Sequence, residues 1–319
     1  MQFFAVVAGL VLLVWGSDRF VLGASATARN LGVSPLVIGL TIVGLGTSAP
    51  EIVVSATAAL RGNPGVSIGN ALGSNIANIG LVLGVTALVR SVTVRTKIFR
   101  LEFPLMFGVL GLAWLLLGDG LLDRTDGFIL ASAFIVLLLM MSIIGVRARR
   151  SDPLRREFAE EIPASVGTAR ALFWFVVGLA ALILGSQSIV WGAVSIARSF
   201  EVSDLLIGLT VVAVGTSLPE IAASITSILK NEPDIAVGNV IGSNMFNLLA
   251  VLALPGLIAP AAVPAEALQR DFPVMLVLSV ALVVMAWEFR GVGQIARWEG
   301  GVLLLAFLGY QGLLYVSAG

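Results

Sequence analysis

Long apolar segments alternate with short polar connections along the whole chain. Ten of them contain the roughly 20 apolar residues that a helix needs to cross the hydrocarbon core of a bilayer. They span residues 3–26, 34–60, 67–89, 101–118, 126–146, 171–196, 204–229, 236–258, 272–289 and 298–317. This pattern predicts an all-α polytopic membrane protein with ten transmembrane helices. The N-terminal segment lacks the basic start and the cleavage site of a signal peptide, so we expect it to be retained as the first helix.

The longest polar connection, residues 147–170, separates five apolar segments from five. We interpret residues 1–146 and 171–319 as two five-helix halves, joined by this linker. With alternating sides, 15 of the 19 Lys and Arg residues fall on the side of the linker. The positive-inside rule therefore predicts a cytoplasmic linker and both termini outside. The other four basic residues are Arg61, Arg124, Arg198 and Arg270.

Composition supports a membrane protein and excludes several kinds of chemistry. The chain is 58% hydrophobic and 12% charged, and its mean hydropathy is +1.03. Its formal net charge is zero, so nothing indicates nucleic-acid binding. It contains neither cysteine nor histidine, which removes disulfides, thiol chemistry and imidazole catalysis or metal ligation. We therefore expect neither an enzyme nor a bound cofactor.

A polar motif in the second apolar segment recurs 169 residues later. Residues 39–60 and 208–229 are identical at 13 of 22 positions, and residues 67–80 and 236–249 at 6 of 14. The shared residues, Gly-Thr-Ser-x-Pro-Glu and Gly-Asn-x-x-Gly-Ser-Asn-x-x-Asn, are too specific to reflect apolar composition. Because each half has five helices, the second half enters the bilayer from the opposite side. The duplication thus predicts inverted repeats, which are typical of secondary transporters.

A proline interrupts each motif helix near the middle of the membrane. Pro50 and Pro219 have no N–H to donate, and their rings open the preceding turn. Carbonyl groups around Thr47 and Thr216 are freed at a depth where lipid offers no donor. Such backbone is tolerated only where it lines a cavity or is buried in protein. Because free carbonyls at the end of a half-helix form a negative pole, the breaks are suited to a cation.

Each proline is followed directly by a glutamate, Glu51 or Glu220. An ionised carboxylate at the centre of a bilayer costs about 2.5–3.5 kcal/mol or more. The motif helices and their neighbours offer no Lys or Arg as a counter-charge over residues 35–60, 67–89, 204–229 and 236–258. A divalent cation between the two carboxylates would satisfy both of them.

The available ligands favour Ca²⁺ over other metal ions. Two bidentate carboxylates and the carbonyls of Thr47 and Thr216 would supply about six oxygens, within the range that Ca²⁺ prefers. Mg²⁺ holds its waters too strongly for so dehydrated a cage. The absence of Cys and His disfavours Zn²⁺ and Cu⁺.

The neighbouring helices carry polar residues at positions i, i+4 and i+8, which share one helix face. The two sets are Asn70, Ser74 and Asn78, and Asn239, Ser243 and Asn247. They either complete a cation cage or join helices by hydrogen bonds. Asn75 and Asn244 lie about 100° off that face, so packing is their expected role. Ser55 and Ser224 lie two turns beyond the breaks and could bond back to their own helices.

At these motifs the chain resembles the cation/Ca²⁺ exchanger superfamily, most closely its prokaryotic Na⁺/Ca²⁺ exchanger-type antiporters. The residues that carry the resemblance are GTSAPE and GTSLPE, with GNALGSNIAN and GNVIGSNMFN, in both halves. The resemblance implies ten helices in two inverted repeats and alternating access by sliding of the first and sixth helices. It also implies antiport of Ca²⁺ against Na⁺ across a prokaryotic cell membrane. The expected partners are these two ions and the bilayer, and the oligomeric state is left open.

The resemblance also implies roles for individual residues. Glu51 and Glu220 resemble the Ca²⁺ carboxylates, with the backbones of Thr47 and Thr216 beside them. The expected Na⁺ ligands are Ser48, Ser74, Ser217 and Ser243 with the carbonyls of Gly44 and Ala213. Asn78 and Asn247 resemble the pair around the central position, where some relatives carry an aspartate. Asparagine at both positions argues against K⁺ co-transport.

Other functions fit parts of the pattern. Proton/Ca²⁺ exchange is the nearest alternative, because an isolated carboxylate pair also binds protons. A channel would pass Ca²⁺ down its gradient without a counter-ion. An intramembrane hydrolase could use paired acids to activate water, but the carbonyls and duplicated polar faces would then have no role.

Overall fold

The computed structural model describes residues 2–31, 38–95, 101–148, 166–199, 213–287 and 292–318, and most of them are helical. Seven helices in these ranges are long and apolar enough to cross a membrane. They are Gln2–Ala28, Pro64–Val89, Arg124–Met141, Thr168–Ile189, Pro233–Ile258, Ala267–Ala286 and Arg297–Val316. A bent pair, Gly39–Thr47 with Ala49–Leu60, would raise the number to eight. The prediction of a helical membrane protein is therefore confirmed.

The count of ten spans stays a prediction. Two of the predicted spans correspond to apolar helices shorter than a bilayer is thick, Glu102–Leu117 and Leu218–Leu229. Residues 204–212 of the seventh predicted span lie outside the described residues.

We number the α-helices of the described residues in chain order. They are α1 Gln2–Leu31, α2 Gly44–Thr47, α3 Ala49–Leu60, α4 Pro64–Ala77, α5 Gly84–Val89, α6 Glu102–Leu117, α7 Arg124–Ala148, α8 Thr168–Ser199, α9 Ala213–Thr216, α10 Leu218–Leu229, α11 Pro233–Phe246, α12 Ala253–Ile258, α13 Phe272–Ala286 and α14 Arg297–Ala318. Four π-helical turns adjoin them, at Gly39–Val43, Asn78–Leu83, Asn247–Val251 and Ala267–Asp271.

The described residues also contain four short strands, which the sequence pattern did not predict. They are β1 Val92–Arg95, β2 Leu121–Leu122, β3 Ala261–Ala262 and β4 Val292–Ile295. β1 pairs antiparallel with β4, and β2 pairs antiparallel with β3. Strands of two to four residues are too short for an alternating pattern to reveal them. Each ladder joins a strand of the first half of the sequence to one of the second half.

The chain forms two compact units, and each takes segments from both halves of the sequence. Unit one comprises Met1–Thr47 and Leu138–Asn239, and unit two comprises Ser48–Leu137 and Val240–Gly319. The spatial units therefore differ from the duplicated halves. The halves 1–146 and 171–319 remain a prediction from sequence, and most of the linker 147–170 lies outside the described residues.

Unit one is built around α1 and α8, which pack closely through glycines. A Cβ atom added to Gly9 would lie 2.8 Å from the carbonyl oxygen of Gly185, and one added to Gly185 would lie 2.9 Å from that of Gly9. Further along α1, Gly16 contacts Ala181. The partner numbers fall as the α1 numbers rise, so the two helices run antiparallel.

The α1 glycines recur in α8 at the offset of the duplication. The pairs are Gly9 and Gly178, Gly16 and Gly185, and Gly23 and Gly192. Two helices at equivalent positions of the two halves thus pack against each other in opposite directions.

Asp18 and Arg19 make side-chain contacts within unit one. Lys230 lies with its Nζ 2.7 Å from Asp18 Oδ1 and also donates to the Asp18 carbonyl at 3.0 Å. The Arg19 guanidinium lies 4.8 Å from the centre of the Trp174 ring. Because the ion pair is partly exposed, we expect it to contribute only about 0–1 kcal/mol to stability.

Small residues also bring helices together in unit two. A Cβ atom on Gly300 of α14 would lie 2.7 Å from the carbonyl oxygen of Gly84 in α5. One on Gly127 of α7 would lie 2.8 Å from the backbone nitrogen of Leu257 in α12. These contacts place α5 and α12, which continue the helices of the second polar motif, in tightly packed surroundings.

The duplication extends to backbone conformation. Gly62 and Asn231 occupy equivalent positions after the motif helices, and both have positive φ, at 77° and 60°. Glycine and asparagine are the residues that adopt this left-handed conformation most readily. The next residue of each turn donates its N–H back to the helix, Asn63 to Ala58 at 2.9 Å and Glu232 to Ser227 at 2.8 Å.

The contact between α1 and α8 predicts the effect of one added methyl group. Gly185→Ala should destabilise the protein by about 1–3 kcal/mol, because its Cβ meets backbone atoms that must move. Gly111→Ala is the matched control, since a Cβ at Gly111 meets nothing within 4 Å. Thermal unfolding in detergent should show a lower midpoint for the first variant only. Equal midpoints for the two variants would contradict the described packing.

Candidate functional site

Both motif helices break at the position that the prolines predict. In the first half α2 ends at Thr47 and α3 begins at Ala49, with Ser48 between them at φ −82° and ψ 6°. In the second half Ser217 separates α9 from α10 at φ −86° and ψ 1°. Each proline is the second residue of the new helix, where its missing N–H costs nothing. In the turn before the break, the carbonyl four residues before the proline, that of Gly46 or Gly215, therefore lacks its helical N–H donor.

The two glutamates lie in the first turns of the helices that begin at the breaks. Glu51 is 2% exposed and Glu220 is 1% exposed. The N-terminal end of a helix dipole favours a negative charge at this position. Ser-x-x-Glu is also the capping-box pattern. Within the described residues, however, neither Ser48 nor Ser217 caps its helix with its side chain.

Several buried polar atoms at the motifs have no hydrogen-bond partner among the described residues. In unit two these are Glu51 Oε2 and both amide atoms of Asn247, and in unit one Ser217 Oγ. A buried polar group left unsatisfied costs about 1–3 kcal/mol. Such groups call for an explanation, and a bound ion or water supplies one.

The other predicted ligands are distributed evenly between the two units. Unit one contains Gly44, Thr47, Ala213, Thr216, Ser217 and Glu220. Unit two contains Ser48, Glu51, Ser74, Asn78, Ser243 and Asn247. Thr216 is half-buried, Ala213 is the first residue of α9, and the other ten are buried.

Two π-helical turns, which sequence reasoning missed, begin at predicted ligands. Asn78 opens the turn Asn78–Leu83, and Asn247 opens Asn247–Val251. In the second of them, the N–H of Leu252 reaches the carbonyl of Asn247 at 2.9 Å, five residues back. Single π turns inside α-helices occur frequently at functional sites. One extra residue per turn leaves no hydrophobic periodicity that would predict it.

Polar contacts in unit two link the motif helix to its neighbours. Asn70 Nδ2 donates to the Glu51 carbonyl at 3.0 Å. The hydroxyl of Ser55 contacts that of Ser67 and donates to the Val251 carbonyl at 3.3 Å. The contacts of Ser55 therefore reach other segments, whereas the sequence suggested a bond back to its own helix.

In unit one the side-chain amide of Asn239 connects the motif segments. Thr47 Oγ1 donates to Asn239 Oδ1 at 2.9 Å, and Asn239 Nδ2 donates to Ser224 Oγ at 3.2 Å. Asn239 thus lies between the end of α2 and the middle of α10.

The off-face asparagines make contacts that fit a packing role. Asn75 Nδ2 donates to the Asn244 carbonyl at 3.1 Å and also lies 3.4 Å from the sulfur of Met275. These bonds join α4 to α11 and α13. Among the described residues, no three Asp or Glu side chains form a group that could hold a metal ion. A cation at the motifs would therefore depend on neutral oxygens as well as carboxylates.

Residues 1–143 and 170–316 match the family described as sodium/calcium exchanger protein. The chain belongs to this family. It is 41% identical over 311 residues to the inner membrane protein YrbG of Escherichia coli, covering 97% of this chain and 95% of that protein. It is 33% identical over 351 residues to the sodium/calcium exchanger MaX1 of Methanosarcina acetivorans, covering 99% of each.

Solved structures of the sodium-calcium exchanger NCX_Mj have the same fold. One, soaked with zero Na⁺ and Ca²⁺, gives a TM-score of 0.83 at 34% identity and covers 98% of each chain. Another, soaked with 2.5 mM Na⁺ and 0.1 mM Ca²⁺, gives 0.82 at 33% identity and covers 96% of each chain. The family consists of transporters, and the match supports cation/Ca²⁺ exchange as the activity of this exchanger.

The unsatisfied amide of Asn247 yields a prediction. Asn247→Leu removes two buried polar atoms that have no partner in the part of the chain that the structure describes, so the ion-free variant should unfold at the same or a higher temperature. The rise in unfolding temperature that Ca²⁺ causes in the unchanged protein should be lost. Thermal unfolding with and without Ca²⁺ measures both effects.

Thr86→Val is the matched control, since the Thr86 hydroxyl is buried and bonds back to Val82 in its own helix at 2.6 Å. This variant should keep the full stabilisation by Ca²⁺. An undiminished Ca²⁺ effect in Asn247→Leu would argue against a ligand role for Asn247.

Proposed function

We propose that this family member exchanges Ca²⁺ for Na⁺ across a prokaryotic cell membrane by alternating access, with Glu51 and Glu220 as the carboxylate ligands of one Ca²⁺. One observation supports the proposal most directly. Both glutamates are almost fully buried, in helices without any Lys or Arg. A transported cation is the source of positive charge that we propose for them.

The proposed Ca²⁺ shell combines the two carboxylates with backbone oxygens of Thr47 and Thr216. Both threonines end a short helix immediately before a break, and the proline that follows has no N–H to donate to the carbonyl of the glycine before the threonine. Carboxylate and carbonyl oxygens are the ligands that Ca²⁺ prefers. No cysteine or histidine is present to favour a softer metal.

Na⁺ is proposed to occupy flanking positions lined by hydroxyls and carbonyls. The family resemblance assigns these to Ser48, Ser74, Ser217 and Ser243, with Gly44 and Ala213. The buried Ser217 hydroxyl, which has no partner among the described residues, supports this role. Because Asn78 and Asn247 do not ionise, the two glutamates alone would set the charge of the site.

Obligatory exchange then follows from electrostatics. An empty site would carry two buried negative charges, and reorienting it through the membrane would be costly. Ca²⁺ or Na⁺ must neutralise the carboxylates before the site changes sides. Binding of a transported ion is thus required before the site can reorient.

Alternating access is proposed to use ten helices in two inverted repeats, with both termini outside and the linker 147–170 in the cytoplasm. The antiparallel packing of α1 and α8, which occupy equivalent positions in the two halves, supports an inverted relation. Their interlocked glycines also favour movement of this pair together, in agreement with the sliding that the resemblance implies.

Neutralising a motif glutamate tests the proposal. In vesicles, Glu51→Gln and Glu220→Gln should each reduce Na⁺-driven Ca²⁺ uptake to background, because amides neither carry the charge nor bind Ca²⁺ in the same way. Both variants should remain folded, since an amide costs less to bury than a carboxylate.

Glu102→Gln serves as the control for these variants, because Glu102 is also buried, at 5% exposure, but lies in α6 outside both motifs. This variant should retain uptake. Undiminished exchange in Glu51→Gln would refute the assignment of the site.

Proton/Ca²⁺ exchange is the second candidate, because the same carboxylate pair could bind protons. Vesicle Ca²⁺ uptake should proceed under an imposed Na⁺ gradient after an ionophore has collapsed the pH gradient. Uptake that requires the pH gradient and ignores Na⁺ would establish the proton mechanism. Ca²⁺ flux without any counter-ion would indicate a channel.

A further inference from the structure

We propose that Asn239 is a positioning residue that holds Thr47 at the break of the first motif helix. The inference rests on the proposed function, in which the Thr47 backbone contributes to the Ca²⁺ site. Asn239 itself would not touch the ion.

The geometry around Asn239 uses both ends of its amide. The residue has no exposed surface, its Oδ1 accepts from the Thr47 hydroxyl at 2.9 Å, and its Nδ2 donates to Ser224 at 3.2 Å. Thr47 is also completely buried. The bond therefore fixes both side chains in surroundings where no water competes for it.

Two hydrogen-bond acceptors lie near the Thr47 hydroxyl. A helical threonine ordinarily bonds back to a carbonyl three or four residues earlier. Here the hydroxyl lies 3.4 Å from the Gly44 carbonyl but 2.9 Å from Asn239. The shorter contact directs Thr47 toward α11. The Gly44 carbonyl, a proposed Na⁺ ligand, is correspondingly less engaged by this hydroxyl.

The position of Thr47 matters because the helix lacks a backbone hydrogen bond at this turn. Pro50 cannot donate to the carbonyl of Gly46, so the last turn of α2 lacks one of its helical bonds. A side-chain bond at Thr47 compensates by fixing the final residue of that turn. Groups that orient a metal ligand in this way typically change metal affinity when they are removed.

Asn70, the equivalent asparagine of the first half, has a different hydrogen-bond partner. Asn70 donates to the Glu51 carbonyl within its own half, whereas Asn239 reaches a residue of the other half. Both contacts therefore lie beside the first break, one before Ser48 and one after it. Identical residues at duplicated positions thus make different contacts.

The test is a double-mutant cycle on Ca²⁺ affinity. Asn239→Leu removes the amide, and Thr47→Val removes the hydroxyl while keeping the backbone carbonyl. Each single variant should weaken equilibrium ⁴⁵Ca²⁺ binding to the purified protein by about 10-fold, the lower end for loss of an orienting partner. The double variant should be no weaker than the worse single variant, because both changes break the same hydrogen bond.

Unchanged affinity in Thr47→Val would overturn the inference, even if Asn239→Leu failed to fold. Independent losses that combine to about 100-fold in the double variant would also overturn it, since separate effects add as free energies. Absence of Ca²⁺ binding by the unchanged protein would instead contradict the proposed function itself. Ion-free thermal unfolding of every variant separates weaker binding from misfolding.

Discussion

Burial of two acidic side chains in apolar segments that contain no Lys or Arg is the constraint on which the rest of this molecule depends. Glu51 and Glu220 are almost inaccessible, and no Lys or Arg occurs in the segments that carry them. A protein that must only be stable would not keep such groups in a membrane, because their burial is costly. Their presence makes sense if a cation completes the charge balance, and the family to which the chain belongs transports such cations.

The backbone around the two glutamates is arranged so that their burial costs less. Helices break at Ser48 and Ser217, so the glutamates lie in first turns, where the helix dipole favours a negative charge. π-helical turns begin at Asn78 and Asn247 and alter the backbone beside polar side chains. Closely packed glycines hold the neighbouring helices in place. Irregular backbone is thereby confined to protein surroundings, as the bilayer requires.

The sequence was sufficient for the helical membrane fold, the family and both helix breaks, because long apolar runs and proline act locally. It could not predict the β1–β4 and β2–β3 ladders or the π turns, which leave no periodic signal. It also could not distinguish the roles of Asn70 and Asn239, since both occupy the same motif position. Only their tertiary contacts distinguish an amide that supports Glu51 from one that holds Thr47. Duplicated sequence therefore predicts similar backbone more reliably than similar contacts.

An experimental structure of the Ca²⁺- or Sr²⁺-soaked protein would show whether the two glutamates bind one divalent cation. Sr²⁺ scatters anomalously and replaces Ca²⁺ among oxygen ligands. We expect one anomalous peak with carboxylate oxygens of both Glu51 and Glu220 within about 2.3–2.6 Å, the usual Ca²⁺ distance, or slightly more for Sr²⁺. A peak elsewhere, or one that contacts neither carboxylate, would contradict it.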